Sequence, residues 1–225
     1  PQWSLADLAC LQIRAIPVPI YTTNTAEQAL YVMNHAEVKV LFVGDEKQYH
    51  KALEVASQYP TLQMIVVCDN EVPLTEKQYS IHWNDFLALG NSPQYDTELD
   101  KRIAERNLDD LFTIIYTSGT TGEPKGVMLT YENLAFQMVG HTERLSTVDN
   151  TDTSLAFLPL SHVFERAWTY FCLYKAVTVY YLDDTNLVRE ALAEVRPTLM
   201  CAVPRFYEKI FATVHDRADA SSFVK

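Results

Sequence analysis

Apolar residues along this chain fall into two alternating patterns. Short runs bounded by polar residues, VKVLFV at 38–43, LQMIVVC at 62–68 and LFTII at 111–115, predict buried strands. Stretches of ten or so residues with helical spacing lie between them. Thr25 followed by Gln28 reads as a capping box opening a helix to about His35, and Asp45 caps a helix to about Gln58. Ser4 and Asp7 give a third capping pattern, for a helix to about Ile13. The run IPVPIY at 16–21 is extended, and its two prolines place it at an edge. Beyond residue 115 the alternation resumes. Strands are expected at 126–129, 153–158, 177–182 and 198–202, with helices from Thr130 to about Leu145, at 163–175, at 187–195 and at 205–214. Strands alternating with helices indicate α/β architecture built from βαβ units, with mainly parallel sheets.

The polar stretch 91–107, with Pro93 near its start, is the best linker candidate, and 96–106 could form a solvated helix within it. It divides the chain into a first lobe, 1–108, and a second, 109–225. The length of 225 residues and 48% hydrophobic composition suffice for such a core. A net charge of −11 argues against a general nucleic-acid binder, because phosphate backbones need basic patches. The four cysteines, Cys10, Cys68, Cys172 and Cys201, are far apart, lie in apolar contexts and show no C-x-x-C spacing. They read as buried free thiols of a reducing compartment, with no metal site. No apolar run approaches the ~20 residues of a membrane-spanning helix. The absence of an initiator Met, and an end at 221–225 without a finishing element, lead us to expect an internal piece of a longer protein.

The chemistry concentrates in YTSGTTGEPKGVMLT, Tyr116 to Thr130. Gly119 and Gly122 let the backbone turn tightly and present amides to a ligand. Thr117, Ser118, Thr120 and Thr121 add hydroxyls, and Lys125 adds a mobile positive charge behind Pro124. Such a loop suits a polyphosphate, whose anionic oxygens demand many donors. It departs from the G-x-x-x-x-G-K-[ST] pattern, because Glu123 and Pro124 intervene and a strand, not a helix, follows. The loop therefore joins two strands. A Ser/Thr/Gly-rich surface turn is the plainer alternative.

The stretch IIYTSGTTGEPKGVMLTYENL closely resembles the phosphate loop of the adenylate-forming, or AMP-binding, enzymes: acyl-CoA synthetases, adenylation domains and luciferases. LAFLPLSHVFERAW at 155–168 resembles the segment this family places at its acyl site. MCAVPRFYEKI at 200–210 is most similar to the long-chain fatty acyl-CoA synthetase branch. The resemblance implies part of the large N-terminal domain of such an enzyme, with the C-terminal domain absent. It implies an ATP-dependent acid:CoA ligase that activates a long-chain fatty acid through acyl-AMP and then forms the thioester with CoA. ATP, Mg²⁺ and CoA are the implied cofactor and co-substrates, and the cytoplasm the implied location, with peripheral membrane contact left open. Thr117, Ser118, Gly119, Thr120, Thr121, Gly122 and Lys125 are assigned to the phosphates, with Lys125 on the charge that grows on pyrophosphate. His162 would lie beside the acyl carboxylate and α-phosphate, to orient the acid, donate a hydrogen bond or gate the pocket, or else cap the following helix.

Glu165 and Arg166 read as a solvated face before a local ion pair or a lining of the site. Trp168, Tyr170 and Phe171 read as core before acyl tunnel. Arg205 borders the acyl pocket by resemblance or is simply a first-turn helix residue. The other histidines, His35 included, are scattered and earn no role. Arg14 departs from the family, where relatives commonly carry Gly or a small residue. No Tyr-Gly-x-Thr-Glu stretch, which in relatives grips adenine and supplies the magnesium-binding Glu, is present. These residues by themselves are therefore expected to be inactive. Two other readings stay open, an adenylation domain for an aryl or amino acid and a non-catalytic nucleotide-binding or scaffold protein.

Overall fold

The structure, a computed structural model, describes residues 1–117 and 123–220. The chain forms two compact units, Pro1–Val139 with Leu160–Val163, and Gly140–Pro159 with Phe164–Lys225. The division falls further along the chain than the polar stretch 91–107.

In the first unit the apolar runs become a three-stranded parallel sheet, in the order β1 (Val40–Val43), β2 (Met64–Val67), β3 (Ser80–His82). Val40 pairs with Met64, and Ile65 with Ser80. The central strand β2 is covered on both faces, and Ile65, Val66 and Val67 are fully buried. That is why its sequence is a continuous apolar run and not an alternation. Helix α1 (Gln2–Gln12) precedes the sheet, as does α2 (Ala26–His35), and α3 (Glu46–Ala56) connects β1 to β2. Tyr49 and Ala52 of α3 pack with Val43, Ile65 and Val67, while Val55 joins Ala29, Met33 and Tyr59 beside α2. Strand β3 is three residues long, too short for a periodic signal, and leads into α4 (Trp83–Leu89), whose Trp83 and Phe86 rings meet Phe42 edge-on.

The stretch 91–107 holds a 3-10 turn at Pro93–Tyr95 and α5 (Asp96–Ala104), which is not buried. A hairpin follows. β4 (Leu111–Thr117) pairs antiparallel with β5 (Lys125–Thr130), and α6 (Tyr131–Arg144) continues from it. The hairpin is the one antiparallel pairing among the described strands. The sheets are otherwise parallel, as the βαβ alternation predicts.

The capping patterns divide. At Thr25 both reciprocal bonds of the box form, and Asp45 accepts from the Gln48 amide. Ser4 caps nothing. Helix α1 starts two residues earlier, at Gln2 after Pro1, so Ser4 and Asp7 lie inside it and are buried.

The second unit pairs β6 (Thr153–Ala156) with β7 (Thr178–Tyr181) in parallel, joined through α7 (Val163–Tyr174). The strand expected at 198–202 reduces to a single bridge between Ser154 and Leu199. Helices α8 (Val188–Val195) and α9 (Pro204–Ala220) complete the unit. Leu155, Phe171, Cys172 and Val177 form its buried centre, and the Phe157 and Phe206 rings lie 5.0 Å apart.

With six glycines in the whole chain, four helices end on non-glycine residues in the left-handed region: Arg14, Glu37, Ala176 and Arg196. At three of them the next amide bonds five residues back, Ala15 to Cys10, Val38 to Met33 and Val177 to Cys172, at 2.9 to 3.0 Å. This is the Schellman closure, which glycine usually serves. It explains why Gly is the ordinary choice at the position that Arg14 occupies.

Candidate functional site

The Ser/Thr/Gly loop is the tip of the β4–β5 hairpin. Thr117 and Lys125 are cross-strand partners at its two ends, and both are exposed. Ser118, Gly119, Thr120, Thr121 and Gly122 lie outside the described residues. Lys125 has no acidic partner within 4 Å among the described residues, so its ammonium is available to an incoming anion.

Behind these ends the hairpin leans on α2. Tyr116, buried at the end of β4, shares a 2.6 Å hydrogen bond with Nδ1 of His35. The Tyr31 hydroxyl donates to the Pro124 carbonyl at 3.1 Å. The Tyr31 and His35 rings stack with centroids 5.8 Å apart, and Tyr116 meets both edge-on. Burial raises the Tyr116 pKa, so its hydroxyl keeps its proton. Directly across from Tyr116 stands Gly126, and a Cβ there would approach Ile114 Cγ2 to 2.8 Å and Tyr116 Cζ to 3.2 Å. Gly126 is thus required first by the Ile114 side chain and then by the Tyr116 ring across from it. Tyr31, His35 and residues 123–126 line an open cleft of about 460 Å³.

His162 lies in the turn immediately before α7, exposed, and belongs with Leu160–Val163 to the first unit. Glu165 and Arg166 are buried, not solvated. Their helix packs that face inward: Arg166 sets its guanidinium 5.7 Å from the Tyr170 ring centroid, and Cys201 Sγ donates to Glu165 Oε2 at 3.3 Å. Burial pushes the Glu165 carboxyl up to about 7, against the opposing influence of the Cys201 thiol and the Leu158 backbone. Its Oε1 has no hydrogen-bond partner among the described residues. Tyr170 and Phe171 are core, and the Trp168 indole N–H donates to Ser154 Oγ at 3.0 Å. Arg205 is an exposed first-turn residue of α9. Cys172 and Cys201 are buried, while Cys10 and Cys68 are half-buried, so the expectation of four buried thiols holds for two.

Sequence reasoning did not name Tyr31, gave His35 no role and read Glu165 first as solvated. Tyr31 and His35 carried one readable signal, a four-residue spacing on a capped helix, which places both on one face. Among the described residues no cluster of three His, Cys, Asp or Glu side chains is arranged to hold a metal ion, and no helix is long and apolar enough to cross a membrane.

Comparison with known proteins agrees with the architecture. The chain is 32% identical to long chain acyl-CoA synthetase 3 of Arabidopsis thaliana, over all of this chain and 35% of that protein. It is 34% identical to the long-chain-fatty-acid–CoA ligase ACSBG2 of Xenopus laevis, over all of this chain and 31% of that protein. The chain therefore spans about a third of the length of these curated relatives. Among solved structures, ATP-bound MatB from Rhodopseudomonas palustris shares the fold with a TM-score of 0.62 at 22% identity, over 90% of this chain and 37% of its own. The profile described as AMP-binding enzyme matches residues 1–225, from end to end, and the chain belongs to that family.

Proposed function

We propose that the protein carrying this chain is an ATP-dependent acid:CoA ligase whose acid is a long-chain fatty acid. The observation that carries the reading is the hairpin register, which sets Thr117 and Lys125 opposite each other at the ends of the TSGTTGEPK loop. In the first half-reaction a carboxylate oxygen attacks the α-phosphorus of ATP. The bond to the β-phosphate oxygen breaks, and pyrophosphate leaves with the electron pair. Little covalent help is needed for this, but two anions must be brought together and the leaving charge stabilised. The hydroxyls and amides of Thr117, Ser118, Gly119, Thr120, Thr121 and Gly122 hold the β- and γ-phosphates. Lys125 meets the charge growing on pyrophosphate, and His162 orients the acid beside the α-phosphate. In the second half-reaction the CoA sulfur attacks the acyl carbonyl and AMP departs.

Magnesium would neutralise part of the phosphate charge. Among the described residues no group of three His, Cys, Asp or Glu side chains is arranged to hold it, so it would arrive on the ATP phosphates. The names of the curated relatives, both long-chain, support the choice of acid. A cytoplasmic protein with peripheral membrane contact fits such a substrate.

Pyrophosphate release from the intact protein, assayed across long-chain, aryl and amino acids, tests the reading. Long-chain fatty acids should be preferred. Preference for an aryl or amino acid would overturn the choice of acid, and no acid-dependent release with any of them would overturn the ligase reading.

A further inference from the structure

Helix α2 touches the loop-bearing hairpin through two residues four apart, Tyr31 and His35, and the two contacts fall on opposite ends of the loop. Tyr31 donates to the carbonyl of Pro124, the residue before Lys125. His35 bonds the hydroxyl of Tyr116, the residue before Thr117. One helical turn therefore holds both feet of the loop. The helix is itself a firm base. Its N-terminus is closed by the Thr25–Gln28 box, and Ala29, Val32 and Met33 on its other side are buried.

A two-stranded hairpin is marginal alone and free to twist. Lys125 carries its charge on a four-carbon stem without an acidic partner among the described residues, so the height of its ammonium depends on the backbone beneath it. Directional hydrogen bonds from a fixed helix remove that freedom in a way that apolar packing would not. Electrostatic stabilisation requires donors already in place, and a misplacement of about 1 Å can cost on the order of a hundredfold in rate.

Resting on the ligase reading above, we propose that His35 and Tyr31 are positioning residues, a clamp that fixes the two feet of the phosphate loop so that Lys125 and Thr117 meet the departing pyrophosphate in register. His35 and Tyr31 touch neither ATP nor acid in this scheme. They act through Tyr116 and Pro124.

Tyr116→Phe tests the clamp with little risk to folding, since it deletes one hydroxyl and keeps the ring. His35→Ala removes the other half of the same bond. In the intact protein each should slow acid-dependent pyrophosphate exchange about three- to tenfold, the scale of one net hydrogen bond. The double variant should be no slower than either alone, because one bond is shared. Both should change the rate by less than about twofold when Lys125 is already Ala, since no ammonium is left to position. Thioester formation from supplied acyl-AMP should move by less than about twofold. Equal slowing of both half-reactions, or a full effect in the Lys125→Ala background, would mean a merely structural contact and overturn the clamp. Should the wild type show no pyrophosphate exchange with any acid, the ligase reading falls. The clamp is then decided by calorimetric titration with MgATP, where Tyr116→Phe must weaken binding severalfold with Lys125 present and not with Ala in its place. Unchanged affinity would overturn it.

Discussion

Cys201 donates its thiol hydrogen to the buried carboxyl of Glu165 at 3.3 Å, across thirty-six residues of sequence. Each group changes the other. The carboxyl gains a weak thiol donor beside the Leu158 backbone where it has lost water, and the thiol gains a neighbour that resists its ionisation. Burial, then Glu165, raises the Cys201 pKa far above the ordinary thiol range, and burial raises that of Cys172 to about 11. The pair is a product of packing, since neither residue stood out by position in the chain.

A pH dependence follows for Glu165. Its folded pKa is raised from 4.5 to about 7, so the native state holds the proton more tightly than the unfolded chain. Stability from this group is complete below pH 4.5 and is lost as pH rises through 7. The difference across that window is on the order of 3 kcal/mol. Urea unfolding of the wild type should show stability falling between pH 5 and pH 8, and Glu165→Gln should flatten that fall. Parallel curves for the two proteins would refute the assignment.

Lys125→Ala should slow adenylation in the intact protein by roughly a hundred- to a thousandfold, the usual cost of ~2.7–4 kcal/mol for one electrostatic donor at a developing charge. The loss should fall on kcat more than on KM for ATP, because the interaction strengthens in the transition state. Synthetic acyl-AMP separates the half-reactions. Thioester formation from it releases no pyrophosphate and should be slowed far less.

Gly126→Ala should destabilise the hairpin by about 1–3 kcal/mol, the range for an extra methyl forced into a packed position. The new Cβ would stand 2.8 Å from Ile114 Cγ2, on a β-branched side chain with little freedom to turn. Ile114→Ala in the same protein should recover part of the loss, and denaturant midpoints of the single and double variants decide the matter.

Arg14 combines a strained backbone, φ 59°, with a paired head group that donates to Asp110 at 3.0 and 3.2 Å and lies 3.6 Å from Glu105. Arg14→Gly removes roughly 1 kcal/mol of left-handed strain and the ion pairs together. The pairs are half-exposed and screened by salt, whereas the strain is not. The glycine variant should therefore gain on the wild type as NaCl is raised to 1 M. Melting temperatures at low and high salt give the comparison.

The sequence by itself determined most of the elements and the place of the loop between β4 and β5. Strand β2 was legible because a strand buried on both faces is apolar throughout, and β1 and β4 because their mainly apolar runs are short and bounded by polar residues. Helices α2 and α3 were legible because their caps are local chemistry, satisfied within four residues. The Ser/Thr/Gly-rich motif that we propose binds phosphate was legible for the same reason, since its hydroxyl residues, glycines and lysine are contiguous. Tertiary structure alone decided what depends on distant partners. Ser4 and Asp7 spell a cap, yet burial within α1 overrides the local preference. Glu165 and Arg166 carry charge, which normally means solvent, and only the packing of α7 turned them inward. His35 looked like one scattered histidine among six until the fold brought α2 against Tyr116. Local patterns fix what a segment can form. Which side chains meet is set by a free energy summed over contacts far apart in the chain, and no window of sequence contains that sum.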